Sequence, residues 1–359
     1  MQDVMTILNP TIDVRPGEEL DGARIDGVLK ARIDGLTGTP VIRQFPSGNS
    51  NLTYSIAYPG RHLVLRCPPR GTKPKSGHSM VREYRIMTAL RPVYPTVPPT
   101  VLYSDDESVL GREFYVMDYV EGHVIHREIP TDWHFAAADC RRLCLNFWDR
   151  MIALHGVDFA AIGLGDFGRP EGYVVRQIHG WDKRFTTALT PDIDDYRDIR
   201  DWLMANMPAT DSDAAVLHGD FRIDNALLDP VDPTRIRAIL DWEISALGDP
   251  LTDLGNALAY WVEADDPAEV KARASQPSLA AGMLTRAEIL DYYADRTGRP
   301  IPDFRFYLAQ GQFRLMVILQ QIYYRYFHGE TQDERFAAFR ERIESLGRSC
   351  LRTIENGTM

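Results

Sequence analysis

The sequence predicts an α+β fold with two lobes, a small β-rich lobe followed by a large helical lobe. Alternating apolar residues and turn signals fill the first third of the chain, whereas apolar residues recur at helical spacing from about residue 132 onward. The length of 359 residues also exceeds the usual roughly 100–200 residues of one domain. We place the first lobe at residues 1–118, a hinge at 119–123 and the second lobe at 124–359.

Local patterns define the elements of the first lobe. An apolar stripe at helical spacing, strand-like alternation and the turn YPG at 58–60 are its main signals. The predicted elements are a helix over 18–35, strands around 52–56 and 62–66, a helix over about 79–90 and a strand over 114–122.

The second lobe is helical with one interruption. AADCRRLCLNFWDRMIALHG at 137–156 has apolar residues every three to four positions, as an amphipathic helix requires. Further helices are predicted over 172–205 and from 251 almost to the end of the sequence, whereas 214–241 reads as short strands.

Composition excludes several classes of protein. The formal net charge of -11 argues against nonspecific nucleic-acid binding. The four cysteines form no C-x-x-C pair, and Cys140 and Cys144 lie one helical turn apart, which is typical of a buried helix face rather than a zinc site. MQDVMTILNP lacks the features of a signal peptide, and no apolar run approaches the roughly 20 residues of a membrane span. We therefore expect a cytoplasmic protein with reduced thiols and no membrane or nucleic-acid partner; the sequence leaves the oligomeric state open.

A polar loop between two apolar runs carries the main functional signal. AVLHGDFRIDNALLD at 215–229 contains Asp220, Arg222 and Asn225, and Asp241 follows the next apolar run. Phosphoryl transfer needs a carboxylate that orients the attacking hydroxyl, ligands for Mg²⁺ and a cation for the developing charge. A hairpin would bring the amide of Asn225 and the carboxylate of Asp241 to the same end, and such hard oxygens suit Mg²⁺ rather than zinc.

Other interpretations of this loop exist. Asp and Asn in loops are commonly turn formers, and H-G-D alone is a weak signal. The joint pattern H-G-D-x-R-x-x-N at 218–225, followed by a strand and D-W-E at 241–243, is much harder to obtain by chance. His218 is better explained as a hydrogen-bonded support of the loop than as a proton carrier.

These segments resemble the aminoglycoside phosphotransferase-type, kinase-like enzymes, and G-D-P-L-T-D-L at 248–254 matches them too. The resemblance implies a bilobal protein-kinase-like fold with ATP as phosphate donor and Mg²⁺ as cofactor. It implies Asp220 as catalytic base, Arg222 near the γ-phosphate, and Asn225 and Asp241 as metal ligands. Glu243 stays open between a second metal, a water and an arginine partner.

The same resemblance predicts a nucleotide site in the first lobe. A phosphate loop is expected in FPSGNSNLTY, although with a single glycine it also reads as an ordinary hairpin turn. Arg66 should hold the α- and β-phosphates, and Glu83 should orient that arginine. The full predicted set is Ser47, Gly48, Asn49, Ser50, Asn51, Arg66, Glu83 and the adenine contacts Asp118, Tyr119 and Val120.

The outer segments narrow the resemblance to the branch related to the kinase-like domain fused to some acyl-CoA dehydrogenases. They are L-R-C-P-P-R-G at 65–71, the stretch over 172–184 and the stretch over 313–325. This branch implies a hydroxyacyl-CoA acceptor of the 4-hydroxyacyl type. An aminoglycoside or other small-alcohol phosphotransferase is the alternative, and a nucleotide-binding pseudokinase scaffold is the second alternative.

A CoA thioester would need cations near the site and apolar or aromatic walls for its acyl chain. Arginine and aromatic residues at helical spacing are, however, commonly surface charge and core. The candidates in the second lobe are Arg176, Lys183, Arg184, Arg314 and Arg325, with Tyr173, Trp181, Phe313 and Tyr324.

Overall fold

The computed structural model describes residues 10–46, 51–69, 79–211 and 213–357. Its contacts divide the chain into two compact units, which we call the β unit and the helical unit. The β unit comprises Met1–Val124, Ala160–Leu164 and Asn225–Ser245, and the helical unit comprises Ile125–Phe159, Gly165–Asp224 and Ala246–Met359. The predicted α+β class, with a β-rich part and a helical part, is confirmed; the predicted lobe boundaries stay a prediction.

Strands and helices are numbered in chain order. The strands of the described residues are β1 (Val41–Gln44), β2 (Leu52–Tyr58), β3 (Arg61–Cys67), β4 (Thr100–Ser104), β5 (Phe114–Asp118), β6 (Ala215–Leu217), β7 (Ala226–Leu228), β8 (Ile236–Ile239) and β9 (Ala246–Gly248). The helices are α1 (Gly22–Arg32), α2 (Met80–Leu90), α3 (Glu107–Leu110), α4 (Ala137–His155), α5 (Tyr173–Ala188), α6 (Arg197–Ala205), α7 (Pro250–Leu258), α8 (Ala268–Lys271), α9 (Arg286–Thr297), α10 (Arg305–Phe327) and α11 (Phe339–Asn356). None of these helices is long and apolar enough to cross a membrane.

An antiparallel sheet in the order β1-β2-β3-β5-β4 forms the centre of the β unit. The predicted hairpin at YPG is confirmed, with Leu52 paired to Cys67 and Tyr58 paired to Arg61. Helix α1 packs on one face of the sheet and buries Ile25 and Leu29 against it. This helix is shorter than predicted, because the Asp21 side chain caps its first turn and residue 33 is already extended.

The chain after β5 also differs from the prediction. The strand ends at Asp118 rather than at Gly122, and His123 then forms an isolated antiparallel bridge with Leu228 of β7. A Cβ atom at position 122 would lie 2.7 Å from the carbonyl oxygen of Leu228. This close approach of two backbones explains why a glycine stands there.

The expected hairpin of β7 and β8 is present in the β unit. Ala226 pairs with Ile239, and the Leu240 N–H donates to the Asn225 carbonyl at 2.7 Å. The Ile239 N–H donates to the carbonyl of Thr96, which fastens the hairpin to the loop after α2. Residues 225 and 241 therefore flank the same end of the hairpin.

Helix α10 is the central element of the helical unit and packs against α5, α7 and α11. It approaches α7 very closely, since a Cβ atom on Gly311 would lie 2.3 Å from the carbonyl oxygen of Gly255. Strands β6 and β9 pair with each other in this unit, and the chain between them contains Asn225–Ser245, which belongs to the β unit. The sequence analysis did not predict β9, because three residues carry too little periodicity.

All four cysteine thiols are free and buried, so we expect them to be unreactive in the folded protein. Burial raises the pKa of Cys67 to about 11 and that of Cys144 to about 12, and the reactive thiolate is correspondingly rare at pH 8. Labelling with an aromatic disulfide reagent should modify all four after unfolding in guanidinium and none before it. Fast labelling of the native protein at any position would contradict this packing.

Candidate active site

Arg66 of β3 lies at the centre of a cluster of carboxylates in the β unit. Its Nη2 atom is 3.6 Å from Glu83 on α2, 3.2 Å from Asp241 after β8 and 3.8 Å from Glu243. The Arg66 side chain is 13% exposed and that of Glu83 only 1%. The structure thus brings together three residues that the sequence analysis named separately, and it shows Glu243 as a neighbour of Arg66.

The electrostatics of this cluster leave an excess of negative charge. Burial raises the pKa of Glu83 to about 7, opposed by Arg66 and reinforced by the charges of Asp241 and Glu243. Burial disfavours the charged form of Arg66, but the surrounding carboxylates outweigh it and raise the pKa of the guanidinium well above its usual value. Three carboxylates sharing one guanidinium leave negative charge that a bound cation would offset.

Asp241 and Asn225 provide oxygens at the end of the β7–β8 hairpin. Asp241 has a φ of 66°, a left-handed conformation that non-glycine residues adopt at a cost and mainly where the surrounding structure enforces it. An Asn amide and an Asp carboxylate fit Mg²⁺. The described residues contain no group of three or more His, Cys, Asp or Glu side chains arranged as a metal site. The predicted ion site at this end of the hairpin consists of the Asn225 amide and the Asp241 carboxylate.

The predicted phosphate loop is described only at its end. Ser47, Gly48, Asn49 and Ser50 lie outside the described residues. Asn51 is 3% exposed, and its Nδ2 donates to Glu243 Oε2 at 2.7 Å. The buried Oδ1 of Asn51 and the Nε of Arg66 have no hydrogen-bond partner among the described residues. Such orphaned polar atoms are costly in a folded protein and are typical of a site that receives a polar ligand.

The predicted adenine contacts line a cavity of about 660 Å³ in the β unit. Asp118, Tyr119 and Val120 all belong to its lining. The Asp118 N–H donates to the Pro99 carbonyl and the Tyr119 N–H to the His62 carbonyl, and the Tyr119 ring stacks on His62 at 3.9 Å. Two of these three residues therefore have their backbone N–H groups already engaged within the protein.

The helical unit holds the loop with Asp220. The N–H groups of His218 and Gly219 both donate to the Asp253 carboxylate at 2.8 Å, and the Asp220 N–H donates to His218 Nδ1 at 3.3 Å. Gly219 has a φ of 86°, which favours glycine directly before Asp220. His155 contacts the same carboxylate, with Nε2 at 3.3 Å from Oδ2.

Arg222 follows Asp220 and is held in place by its own neighbours. Its guanidinium forms a bidentate pair with Asp224, with Nε at 2.9 Å from Oδ1, and stacks on the Tyr260 ring at 4.4 Å. Burial opposes the charged form, but Asp224, Tyr260 and Asp220 raise the pKa of Arg222. Sequence analysis gave Asp224 no role, because a partner two residues away looks like ordinary loop polarity.

Asp249 and Asp253 of the motif G-D-P-L-T-D-L make different contacts. Asp249 is the residue that caps α7, accepting from the Leu251 N–H at 2.8 Å. Asp253 instead binds the backbone of the loop that carries Asp220. No local signal separates these two aspartates, because the difference lies in a contact 35 residues away in sequence.

Replacing Asp253 with Asn should destabilise the protein by about 3–5 kcal/mol, because buried donors lose a charged partner. Burial opposes ionisation, but hydrogen bonds and charges from His155 and His218 lower the pKa of Asp253. A lowered folded-state pKa stabilises the fold above the unfolded value of about 3.9, and this stabilisation is lost as pH falls through the folded value. The parent and the variant should therefore differ fully in urea unfolding at neutral pH, and the difference should shrink only as pH falls below about 4 towards the lowered folded-state pKa.

The exposed Asp291→Asn on α9 is the matched control and should unfold like the parent. Equal stabilities of Asp253→Asn and the parent at neutral pH would show that this carboxylate does not hold the loop.

Comparison with known proteins places these residues in a family context. The profile of the phosphotransferase enzyme family (APH) matches residues 41–289. The acyl-CoA dehydrogenase family member 11 of Gallus gallus is 30% identical over 361 residues, covering 97% of this chain and 45% of that protein. The chain thus spans less than half the length of this relative.

Solved structures show the same fold. A protein of Ralstonia eutropha JMP134 assigned as an aminoglycoside phosphotransferase has a TM-score of 0.80 and 32% identity, covering 92% of this chain and 97% of its own. A mutant of aminoglycoside phosphotransferase APH(4)-Ia, in ternary complex with AMP-PNP and hygromycin B, has a TM-score of 0.55 at 15% identity and covers 90% and 98%. The second likeness concerns the fold alone. Together they confirm the kinase-like fold that the resemblance implied.

Proposed function

Since the chain belongs to the phosphotransferase enzyme family and is a small-molecule phosphotransferase, we propose that it transfers the γ-phosphoryl group of ATP to the hydroxyl of a hydroxyacyl-CoA. The observation that carries the nucleotide part is the Arg66 cluster, where one buried guanidinium is shared by three carboxylates next to orphaned polar atoms. The cation of a phosphate–metal complex would offset the excess negative charge of this cluster, and its phosphate oxygens would accept from the orphaned Nε of Arg66.

Each part of the β unit has a role in this proposal. Arg66 binds the α- and β-phosphates, and Glu83 orients it. Asn225 and Asp241 hold Mg²⁺, which when bound neutralises phosphate charge. Asn51, tied to Glu243, fixes the end of the phosphate loop, and the loop residues before it lie outside the described residues.

The helical unit acts on the acceptor. Asp220 accepts the proton of the attacking hydroxyl, and the hydrogen bonds from His218 and Gly219 to Asp253 hold it in position. Arg222 directs its charge to the transferred phosphoryl group. Because it pairs with Asp224, the Arg222 guanidinium is a cation fixed in position.

The acceptor is proposed from relatives. The similarity to the acyl-CoA dehydrogenase family member 11 covers nearly all of this chain, and a kinase domain in such a protein would act on an acyl-CoA. An aminoglycoside acceptor is the second candidate, favoured by the Ralstonia structure at 32% identity. The two candidates differ in charge, since a CoA thioester is anionic and an aminoglycoside cationic.

A mass-spectrometric acceptor screen separates these candidates. Purified protein with ATP and Mg²⁺ is offered 4-hydroxyacyl-CoAs, aminoglycosides, choline-like alcohols and sugars. We expect the mass of one phosphoryl group to be added to the 4-hydroxyacyl-CoA and to depend on both ATP and Mg²⁺. Transfer to aminoglycosides with none to acyl-CoAs would overturn the proposed acceptor.

A further inference from the structure

Arg314 on α10 is a buried cation beside the loop that carries Asp220. The residue is 5% exposed, and its Nη2 donates to the carbonyl of Gly219 at 2.9 Å, one residue before Asp220. The other terminal nitrogen, Nη1, is buried and has no hydrogen-bond partner among the described residues. A buried guanidinium donor without an acceptor is strongly unfavourable, so this position suits a group supplied by a ligand.

Trp181 on α5 presents a second orphaned donor at the same place. Its indole Nε1 is buried without a hydrogen-bond partner among the described residues, and the guanidinium carbon of Arg314 lies 5.7 Å from its ring. Arg184 stacks on the same ring at 4.5 Å. The hydrogen bond from Arg314 to the Gly219 carbonyl places this cluster beside the residue that precedes the predicted base.

Arg176, Phe313 and Lys183, which were also predicted for the acceptor, do not share this arrangement. Arg176 donates to the backbone carbonyls of Glu171 and Arg169, and Phe313 is 1% exposed in the core against Phe185. Lys183 is exposed on the outer side of α5. Of the candidates named from sequence, Arg314 and Trp181 are those with buried donors that have no hydrogen-bond partner among the described residues.

We propose that Arg314 and Trp181 together bind a carbonyl or carboxylate oxygen of the acceptor, a few bonds away from the hydroxyl that is phosphorylated. The inference rests on the proposed function and adds the requirement that the acceptor carry such an oxygen. Two N–H donors, one of them charged, match the lone pairs of one oxygen group. Arg184 adds positive charge at the same place, which disfavours a polycationic acceptor.

Kinetics with two variants and three acceptor probes test this inference. Trp181→Phe removes only the indole N–H, and Arg314→Lys keeps the charge but loses the fork of donors. The probes are a 4-hydroxyacyl-CoA, the free 4-hydroxy acid, and the CoA thioether in which a methylene replaces the carbonyl. For the parent we expect KM of the thioether to be about tenfold above that of the thioester.

In Trp181→Phe we expect KM of the thioester to rise about tenfold, while KM for ATP and kcat stay within a factor of about two. Its KM for the thioether should not change, because the deleted donor has no oxygen to bind there. Arg314→Lys should show the same selective effect with a larger KM change. If KM of the free acid responds to the substitutions as KM of the thioester does, Arg314 and Trp181 bind a carboxylate as well. If the free acid is not phosphorylated, the oxygen that they bind is that of the thioester.

Two further variants serve as matched controls. Trp202→Phe and Arg197→Gln lie on α6, outside the cluster, and should keep the parent's kinetics. Unchanged thermal unfolding of Trp181→Phe establishes that its effect is not a folding defect. If Arg314→Lys unfolds early because of its bond to Gly219, Trp181→Phe alone decides the question.

The outcomes separate this inference from the proposed function. Turnover of the thioester with unchanged KM in both variants overturns the inference and leaves the function standing. Turnover only of another acceptor that carries a carbonyl or carboxylate overturns the CoA assignment, and the same variants then decide the inference on that acceptor. Turnover only of acceptors that lack such an oxygen overturns both.

Discussion

Asp220→Asn is expected to lower kcat by about 10²–10⁴-fold while the binding of ATP and Mg²⁺ is retained. The amide keeps the shape of the side chain but cannot accept the proton of the attacking hydroxyl. The conformation of the loop should be unchanged, because its hydrogen bonds to Asp253 come from the backbone N–H groups of His218 and Gly219. Turnover is measured with the acceptor found in the screen, and nucleotide binding by the thermal shift that ATP and Mg²⁺ produce.

Asp213→Asn is the matched control, since Asp213 is an exposed carboxylate just before β6. It should keep the parent's kcat and thermal shift. Full activity of Asp220→Asn on every acceptor would show that another group takes the proton. Loss of the nucleotide shift in the same variant would show that Asp220 acts on ATP binding rather than on chemistry.

Local signals were sufficient for much of the fold. The hairpin of β2 and β3 follows from strict alternation around a Pro-Gly turn, and α2 begins where Ser79 predicts its start. The β7–β8 hairpin was likewise readable, because two short apolar runs flank a turn rich in Asp and Pro. In each case the paired elements are neighbours in sequence, so the local sequence pattern is sufficient to predict their contact.

Contacts between distant segments were not readable in this way. Strand β9 exists because it pairs with β6, about 30 residues earlier in the chain. Asp253 and Arg314 reach the loop around Asp220 from 34 and 95 residues away. The sequence shows that these residues are polar and lie on helices rich in apolar residues. The neighbours that their side chains contact are decided by the packing of α7 and α10.

The same distinction between local and long-range contacts applies to the candidate site. The residue types of the Arg66 cluster were predicted from the resemblance, and the structure adds their convergence on one guanidinium. Glu243 could not be assigned from sequence, because D-W-E alone does not say which way its last side chain faces. In the structure it accepts from Asn51 and lies near Arg66, so it joins the end of the predicted phosphate loop to the segment after β8 that carries Asp241.

Asp241→Asn is the second variant with a large expected effect, this time on nucleotide binding. At an ATP–Mg²⁺ concentration about 100-fold above Kd, the parent should be stabilised by about 2.7 kcal/mol. If the lost carboxylate weakens binding about 100-fold, that gain falls to about 0.4 kcal/mol. Asn tolerates the left-handed backbone at this position, so the substitution changes the charge and not the conformation.

Without nucleotide this variant should be at least as stable as the parent. Asp241 is one of three carboxylates around Arg66, and its charge contributes to the raised pKa of Glu83. Removing it leaves Arg66 with two carboxylate partners and lowers the repulsion between the acids. A folding defect therefore cannot explain a lost thermal shift, provided that the variant without nucleotide melts no earlier than the parent.

The role of the metal is isolated by repeating the thermal shift with a chelator. The parent's gain from ATP should fall towards that of Asp241→Asn once Mg²⁺ is removed, whereas the variant's own gain should barely change. Asp105→Asn, an exposed aspartate after β4, should respond to ATP and Mg²⁺ like the parent. A variant at 241 that keeps the full Mg²⁺-dependent gain would show that the ion is held elsewhere, and the excess negative charge around Arg66 would then need a different cation.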